Sequence, residues 1–207
     1  MRRTALALAL ALMPMNAFGQ DFDAGLAAAD QGDYATALRE WRPLAEQGDA
    51  KAQFRLGTMY HTGQGVPQDV AEAAHWYRKA AEQGNALGQA RLGLMYSTGR
   101  GVPRDDAEAA HWYRLAAEQG HADAQYNIGS MYETGLGVPQ DDAKAVRWYR
   151  KAAEQGLADA QFFLGAMYGN GRLEDVRAEF SLTALADNLR RAISLVGIPA
   201  LIAAVRP

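Results

Sequence analysis

Residues 84–119 read GNALGQARLGLMYSTGRGVPRDDAEAAHWYRLAAEQ, and close copies of this 36-residue phrase stand before it at 48–83 and after it at 120–155. A fourth copy opens at Gly156 and is lost after Arg172. Self-similarity at a fixed period of about 20–50 residues marks a solenoid, in which one unit stacks on the next. One copy therefore carries the reading of most of the chain.

Each copy splits into two helix-period segments around a glycine loop. In the first full copy, 50–60 places Ala52, Leu56, Met59 and Tyr60 on one side, the stripe of a helix with one buried face. The loop 62–69 follows, TGQGVPQD. Gly63 or Gly65 can take the positive φ that ends a helix. Pro67 cannot extend that helix and biases Val66 towards an extended backbone. Asp69 is placed to cap the second helix, with Glu72 three residues on as in a capping box. The second segment, 70–83, carries Ala73, Ala74, Trp76, Tyr77, Ala80 and Ala81, small residues beside large rings, as suits two closely crossing helices. Gly84 stops it. Trp112, in the middle copy, is expected to be buried between hairpins. One such hairpin cannot bury its apolar face alone, whereas a stack can.

The phrase LGxMYxxGxGVPxDxxxAxxWYxxAAEQG, as it stands at 92–120, resembles the Sel-one-like repeat, a relative of the tetratricopeptide repeat with a longer loop between its helices. The resemblance covers roughly 21–172. It implies an all-α chain, an α/α right-handed superhelical solenoid of antiparallel helix hairpins. It also implies a role in holding other proteins together rather than in chemistry, of the bacterial exported type.

Residues 1–19 look like a secretory signal. Arg2 and Arg3 give the positive start, 5–13 the apolar core, and Ala17-Phe18-Gly19 a small-x-small cleavage site. That core is too short to span a bilayer, which needs about 20 residues. The expected location is the periplasm or the medium, with no stable membrane insertion after cleavage. Without the signal, two of the 21 basic residues and none of the 24 acidic ones are lost, leaving 19 against 24, a balance of −5. This mild acidity argues against nucleic acid, which calls for a basic stripe. The absence of cysteine excludes a disulfide scaffold.

Residues 20–47 form a shortened first unit without the GVPQ loop, read as an N-terminal capping hairpin with helices at 22–31 and 34–46. Trp41 sits where Tyr77 and Tyr113 sit later. Pro43 should kink the second helix or delay its start. Full repeats follow at 48–83, 84–119 and 120–155, then a partial one at 156–172. The segment 173–207 departs from the pattern. Its Leu182, Leu185, Leu189 and Ile193 keep a helical stripe, so it reads either as a divergent capping helix near 175–195 or as a stretch foreign to the fold, such as the product of a reading-frame shift. The short apolar run 198–205 reads as a loose or docked end.

Catalytic constellations are missing. There is no CxxC, HExxH or P-loop, and the GxGVP loops lack the third glycine of a dinucleotide fingerprint. SxxK, GxSxG and KTG are absent too. Cysteine-rich relatives of the resembled family are linked to β-lactam binding, but this chain lacks their cysteines and that activity is not carried over. His75 and His111 share one repeat position with Arg147, which is not a metal ligand, so the slot reads as polar surface. Asp105, Asp106, Asp141 and Asp142 read as helix-start residues. Met59, Met95, Met131 and Met167 read as core. No cofactor or metal site is expected.

Comparing copies separates two kinds of position. Residues identical in every copy, such as Gly57, Gly93, Gly129 and Gly165, serve the stack. Residues that differ are free for a partner. In the first helices these are Lys51, Leu87, Asp123 and Asp159; Phe54, Ala90, Tyr126 and Phe162; Arg55, Arg91, Asn127 and Phe163; and Thr58, Leu94, Ser130 and Ala166. Their offsets put them on one helical face. The resemblance suggests that first helices line the concave groove. Arg55 and Arg91 could hold a carboxylate there, and Tyr126, Phe162 and Phe163 an apolar side chain. The expected function is a non-catalytic adaptor in the bacterial envelope that binds a protein or peptide in this groove. The alternatives are an envelope enzyme or enzyme inhibitor of the penicillin-interacting type, and an injected effector.

Overall fold

The computed structural model describes residues 21–169, and over them the chain is nine α-helices with no strand. They are α1 (Phe22–Asp30), α2 (Tyr34–Glu46), α3 (Ala50–Thr62), α4 (Val70–Glu82), α5 (Ala86–Thr98), α6 (Asp106–Glu118), α7 (Ala122–Thr134), α8 (Asp142–Glu154) and α9 (Ala158–Gly169). Each helix packs chiefly on the one before it and the one after it, which makes the assembly a helical-hairpin solenoid. The expected signal segment 1–19, its cleavage, the tail 173–207 with its helix near 175–195, and the run 198–205 lie outside the described residues.

Local chemistry sets the boundaries. First helices α3 and α5 are capped by Asp49 and Asn85, and each of α3, α5 and α7 ends on a left-handed glycine, Gly63, Gly99 or Gly135. Gly65 also takes a positive φ, so both loop glycines serve the turn. Second helices start at the Asp69, Asp105 and Asp141 caps. The capping box forms only by half. The Asp69 carboxylate accepts the N–H groups of Ala71 and Glu72 at 2.9 and 3.0 Å, but Glu72 does not return to the cap. Its carboxylate accepts Trp76 Nε1–H at 2.9 Å, because a buried indole donor one turn on needs a partner. Helix α2 starts at Tyr34 with Pro43 inside it, so the proline does not delay the start.

The core is built from alanine, rings and glycine. Tyr77, Tyr113 and Tyr149 are buried, each lying on the glycine of its partner helix. A methyl group at Gly93 would stand 2.8 Å from the Tyr113 ring, and Gly57 and Gly129 are matched in the same way. Trp41 takes this slot in the first unit, over Gly25, and its Nε1–H donates to the Phe22 carbonyl at 3.1 Å. Trp112 corrects the expectation of burial between hairpins. It is only half-buried, and its Nε1–H donates to Glu108 at 3.0 Å. Adjacent residues on a helix point about 100° apart, so when Tyr113 faces the hairpin partner Trp112 is turned to the rim. Successive units lock through the second loop glycine: Gly101 lies against the Val70 carbonyl, and Gly137 against that of Asp106.

Candidate partner-binding face

A polar ladder holds the first helices in place. Gln53, Gln89 and Gln125 are buried at one repeat position. Their amides donate to the carbonyls of Ala45, Ala81 and Ala117 in the preceding unit at 3.0–3.1 Å. Their own oxygens accept from Gln83, Gln119 and Gln155 at 2.7, 2.7 and 2.8 Å. Every rung thus ties a first helix both to the previous hairpin and to its own partner. Reading the sequence missed these residues. Their signal was identity at 53, 89 and 125, but a glutamine within a helix ordinarily reads as surface.

On this frame the varying positions fall on the accessible side. Lys51, Arg91, Asp123 and Asp159 are exposed, as is Leu87 at 48%. Phe54, Arg55, Tyr126 and Asn127 are half-buried, and the first three also cover rings. Phe54 lies 5.7 Å from Tyr77, and Tyr126 lies 5.6 Å from Tyr149. Arg55 sits 5.8 Å over Trp41 of the preceding unit, and Phe163, at the same repeat position, stacks 5.9 Å from Tyr149. In the first and last copies the position therefore shields the ring of the preceding unit, whereas Arg91 at the same position is exposed. Leu94 at 41% and Phe162 at 71% add exposed apolar surface to the row.

The row joins across the last unit boundary. Tyr126 of α7 lies 5.8 Å from Phe163 of α9. Burial first, then the charge of Asp159 and of Glu133, raises the Tyr126 hydroxyl above its ordinary value. At the other end burial, then Arg100 and Arg91, lowers His61 and holds the imidazole towards its neutral form. Lys51, Arg55 and Arg91 make the N-terminal half basic, whereas Asp123 and Asp159 make the C-terminal half acidic with aromatic footing. Such a surface can pair with carboxylates at one end and cations or apolar side chains at the other. His75 and His111 are exposed, each edge-on to the following tryptophan, and His121 caps α7 by accepting the Ala124 N–H at 3.3 Å. Among the described residues no three His, Cys, Asp or Glu side chains group as metal ligands, and no helix is long and apolar enough to cross a membrane.

The Sel1 repeat model matches residues 50–85, 86–121, 122–157 and 158–179. Among solved structures, a protective antigen of uropathogenic Escherichia coli with an SLR fold is 43% identical, with a TM-score of 0.69, over 72% of this chain and 33% of that one. A Sel1 repeat protein from Oxalobacter formigenes is 36% identical, with a TM-score of 0.70, over 73% of this chain and 62% of that one. The chain thus spans less than two thirds of the length of both. Helicobacter pylori cysteine rich protein B, 22% identical with a TM-score of 0.50 over 64% of this chain and 96% of its own, shares the fold. No curated protein matches the chain.

Proposed function

This chain belongs to the Sel1 repeat family, whose repeats are generally non-catalytic scaffolds for protein interaction, and from that premise we propose that it is an adaptor of the bacterial envelope that binds a protein or peptide along its first-helix row. One observation supports this reading above the others. Within the first helices, the residues that differ between copies gather on one accessible strip, beside a core that is nearly the same in every copy. A rigid stack presents those side chains already ordered, so the partner bears most of the ordering cost of binding. The expected location is the periplasm or the medium, supported by Arg2, Arg3, the apolar run 5–13 and Ala17-Phe18-Gly19.

The test uses exposed positions, so that the fold survives. A crosslinking pull-down from the envelope compares the wild type with a Lys51→Glu, Leu87→Asp, Arg91→Glu variant whose circular dichroism is unchanged. The proposal expects a partner captured by the wild type and lost by the variant. A partner kept by both moves the site off this row. Fractionation tests the location: the expected product is periplasmic or secreted and lacks residues 1–19, and a cytoplasmic product of full mass would contradict export.

A further inference from the structure

The outer side of α8 differs from the same side of α4 and α6. At five matched positions α4 carries Glu72, His75, Trp76, Lys79 and Glu82, a formal −1 with neutral histidine, and α6 carries Glu108, His111, Trp112, Leu115 and Glu118, a formal −2. Helix α8 carries Lys144, Arg147, Trp148, Lys151 and Glu154, a formal +2. The change has a structural consequence. In α4 and α6 the glutamate one turn back accepts the indole N–H, at 2.9 and 3.0 Å. In α8 that position is Lys144, a donor, and the half-buried Trp148 indole N–H has no acceptor among the described residues. Lys151 lies 4.6 Å over the Trp148 ring. Lys144 is held by the Asp141 carboxylate at 2.9 Å and lies 5.2 Å over the Tyr132 ring. Arg147 and Lys151 have no carboxylate partner among the described residues. A cavity of about 460 Å³ opens between Lys144, Arg147, Trp148, Arg150, Lys151 and Glu154.

We infer that the outer side of α8 is a second docking surface, for an acidic segment of a partner protein. Two carboxylates spaced along such a segment would pair with Arg147 and Lys151, and a third acceptor would take the Trp148 N–H that the other copies satisfy internally. Arg147 supplies a planar, two-pronged donor where the other copies have histidine, the geometry that favours a carboxylate. The acids nearby, Asp141, Asp142 and Glu154, stand at the two ends of the helix and leave its middle basic. This surface lies on a second helix and is independent of the first-helix row.

A fluorescein-labelled hexaglutamate peptide, titrated into the full chain by anisotropy, tests the inference. Two variants restore residues that α6 already carries at these positions: Lys144→Glu with Arg147→His, and Arg147→His with Lys151→Leu. Both should keep the wild-type melting curve. The expected result is that the wild type binds hexaglutamate in preference to hexalysine, that added salt weakens the binding, and that each variant weakens it at least tenfold. Equal binding by wild type and folded variants would overturn the inference. So would wild-type binding only to phosphatidylglycerol vesicles, which would make the surface a lipid contact. Binding that appears only after Glu174, Asp175 and Glu179 are changed to glutamine would also overturn it, since the chain's own following segment would then be the occupant.

Discussion

Tyr113 and Trp112 are neighbours in the chain, but their removal should cost very different amounts. Tyr113 is 4% exposed, lies on Gly93, and its hydroxyl is 3.3 Å from Ser97 Oγ. Tyr113→Ala should cost about 3–5 kcal/mol, as for other buried rings. Trp112→Ala, whose ring is already partly exposed, should cost about 1–2 kcal/mol. Gly93→Ala should cost about 1–3 kcal/mol, because the new methyl group meets the ring. Urea unfolding of the three variants checks this order, and a Trp112→Ala loss matching that of Tyr113→Ala would contradict it. That an aromatic pair fills the hairpin was legible in the sequence. Which member of the pair faces inward was not, because adjacent residues differ only by a rotation that packing decides. The buried hydroxyls also imply alkaline sensitivity. Burial raises Tyr77, Tyr113 and Tyr149 above the ordinary value, and the Glu133 carboxylate adds to the rise at Tyr149. Above about pH 10 the unfolded chain releases protons that the folded chain keeps. Stability is therefore full below that pH and falls as pH rises further. The chain has nine tyrosines, so the share of the 295 nm tyrosinate absorbance that is lost in a Tyr77→Phe, Tyr113→Phe, Tyr149→Phe variant is the one to follow. It should appear together with loss of helical dichroism, and its appearance in a fully folded chain would contradict the prediction.

At the scale of the helix, the glutamine rung matters most. Gln89→Ala removes both the donor to the Ala81 carbonyl and the acceptor for Gln119. Leaving buried polar groups unpaired costs about 1–3 kcal/mol, and chemical denaturation should show a loss in that range. A loss below about 0.5 kcal/mol would mean that the rung is dispensable. Asp105→Ala removes the cap of α6 and should cost about 1 kcal/mol, without change to its neighbours. The caps and loop glycines were legible because their chemistry is local: Asp69, Gly63 and Gly65 act within a few residues of themselves. The rung was not, since its partners lie 8 and 30 residues away. Part of the candidate site was hidden for the same reason. Comparison of copies found the accessible strip through Leu87 and Arg91, but the contact of Arg55 with Trp41 belongs to the join between units and shows only in the stack.

At the scale of the molecule, each unit touches its neighbours and little else, so stability is a sum of unit and junction terms. In-frame deletion of residues 84–119 joins two compatible ends, because the removed unit repeats those beside it. The shortened chain should keep its helical signal per residue and melt at a lower temperature. A chain that fails to fold would contradict the independence of units. The same architecture separates binding from stability, since residues on the strip can change without disturbing the glycine–ring and glutamine contacts beneath. The most direct test of this account places a photoreactive residue at Leu87 or Arg91 on the strip, and at Glu82 or Glu118 on the second helices, and crosslinks each protein in the native envelope. The account predicts one shared partner band from the two strip positions, absent from the other two. A partner captured equally from both sides, or only from the second helices, would contradict it.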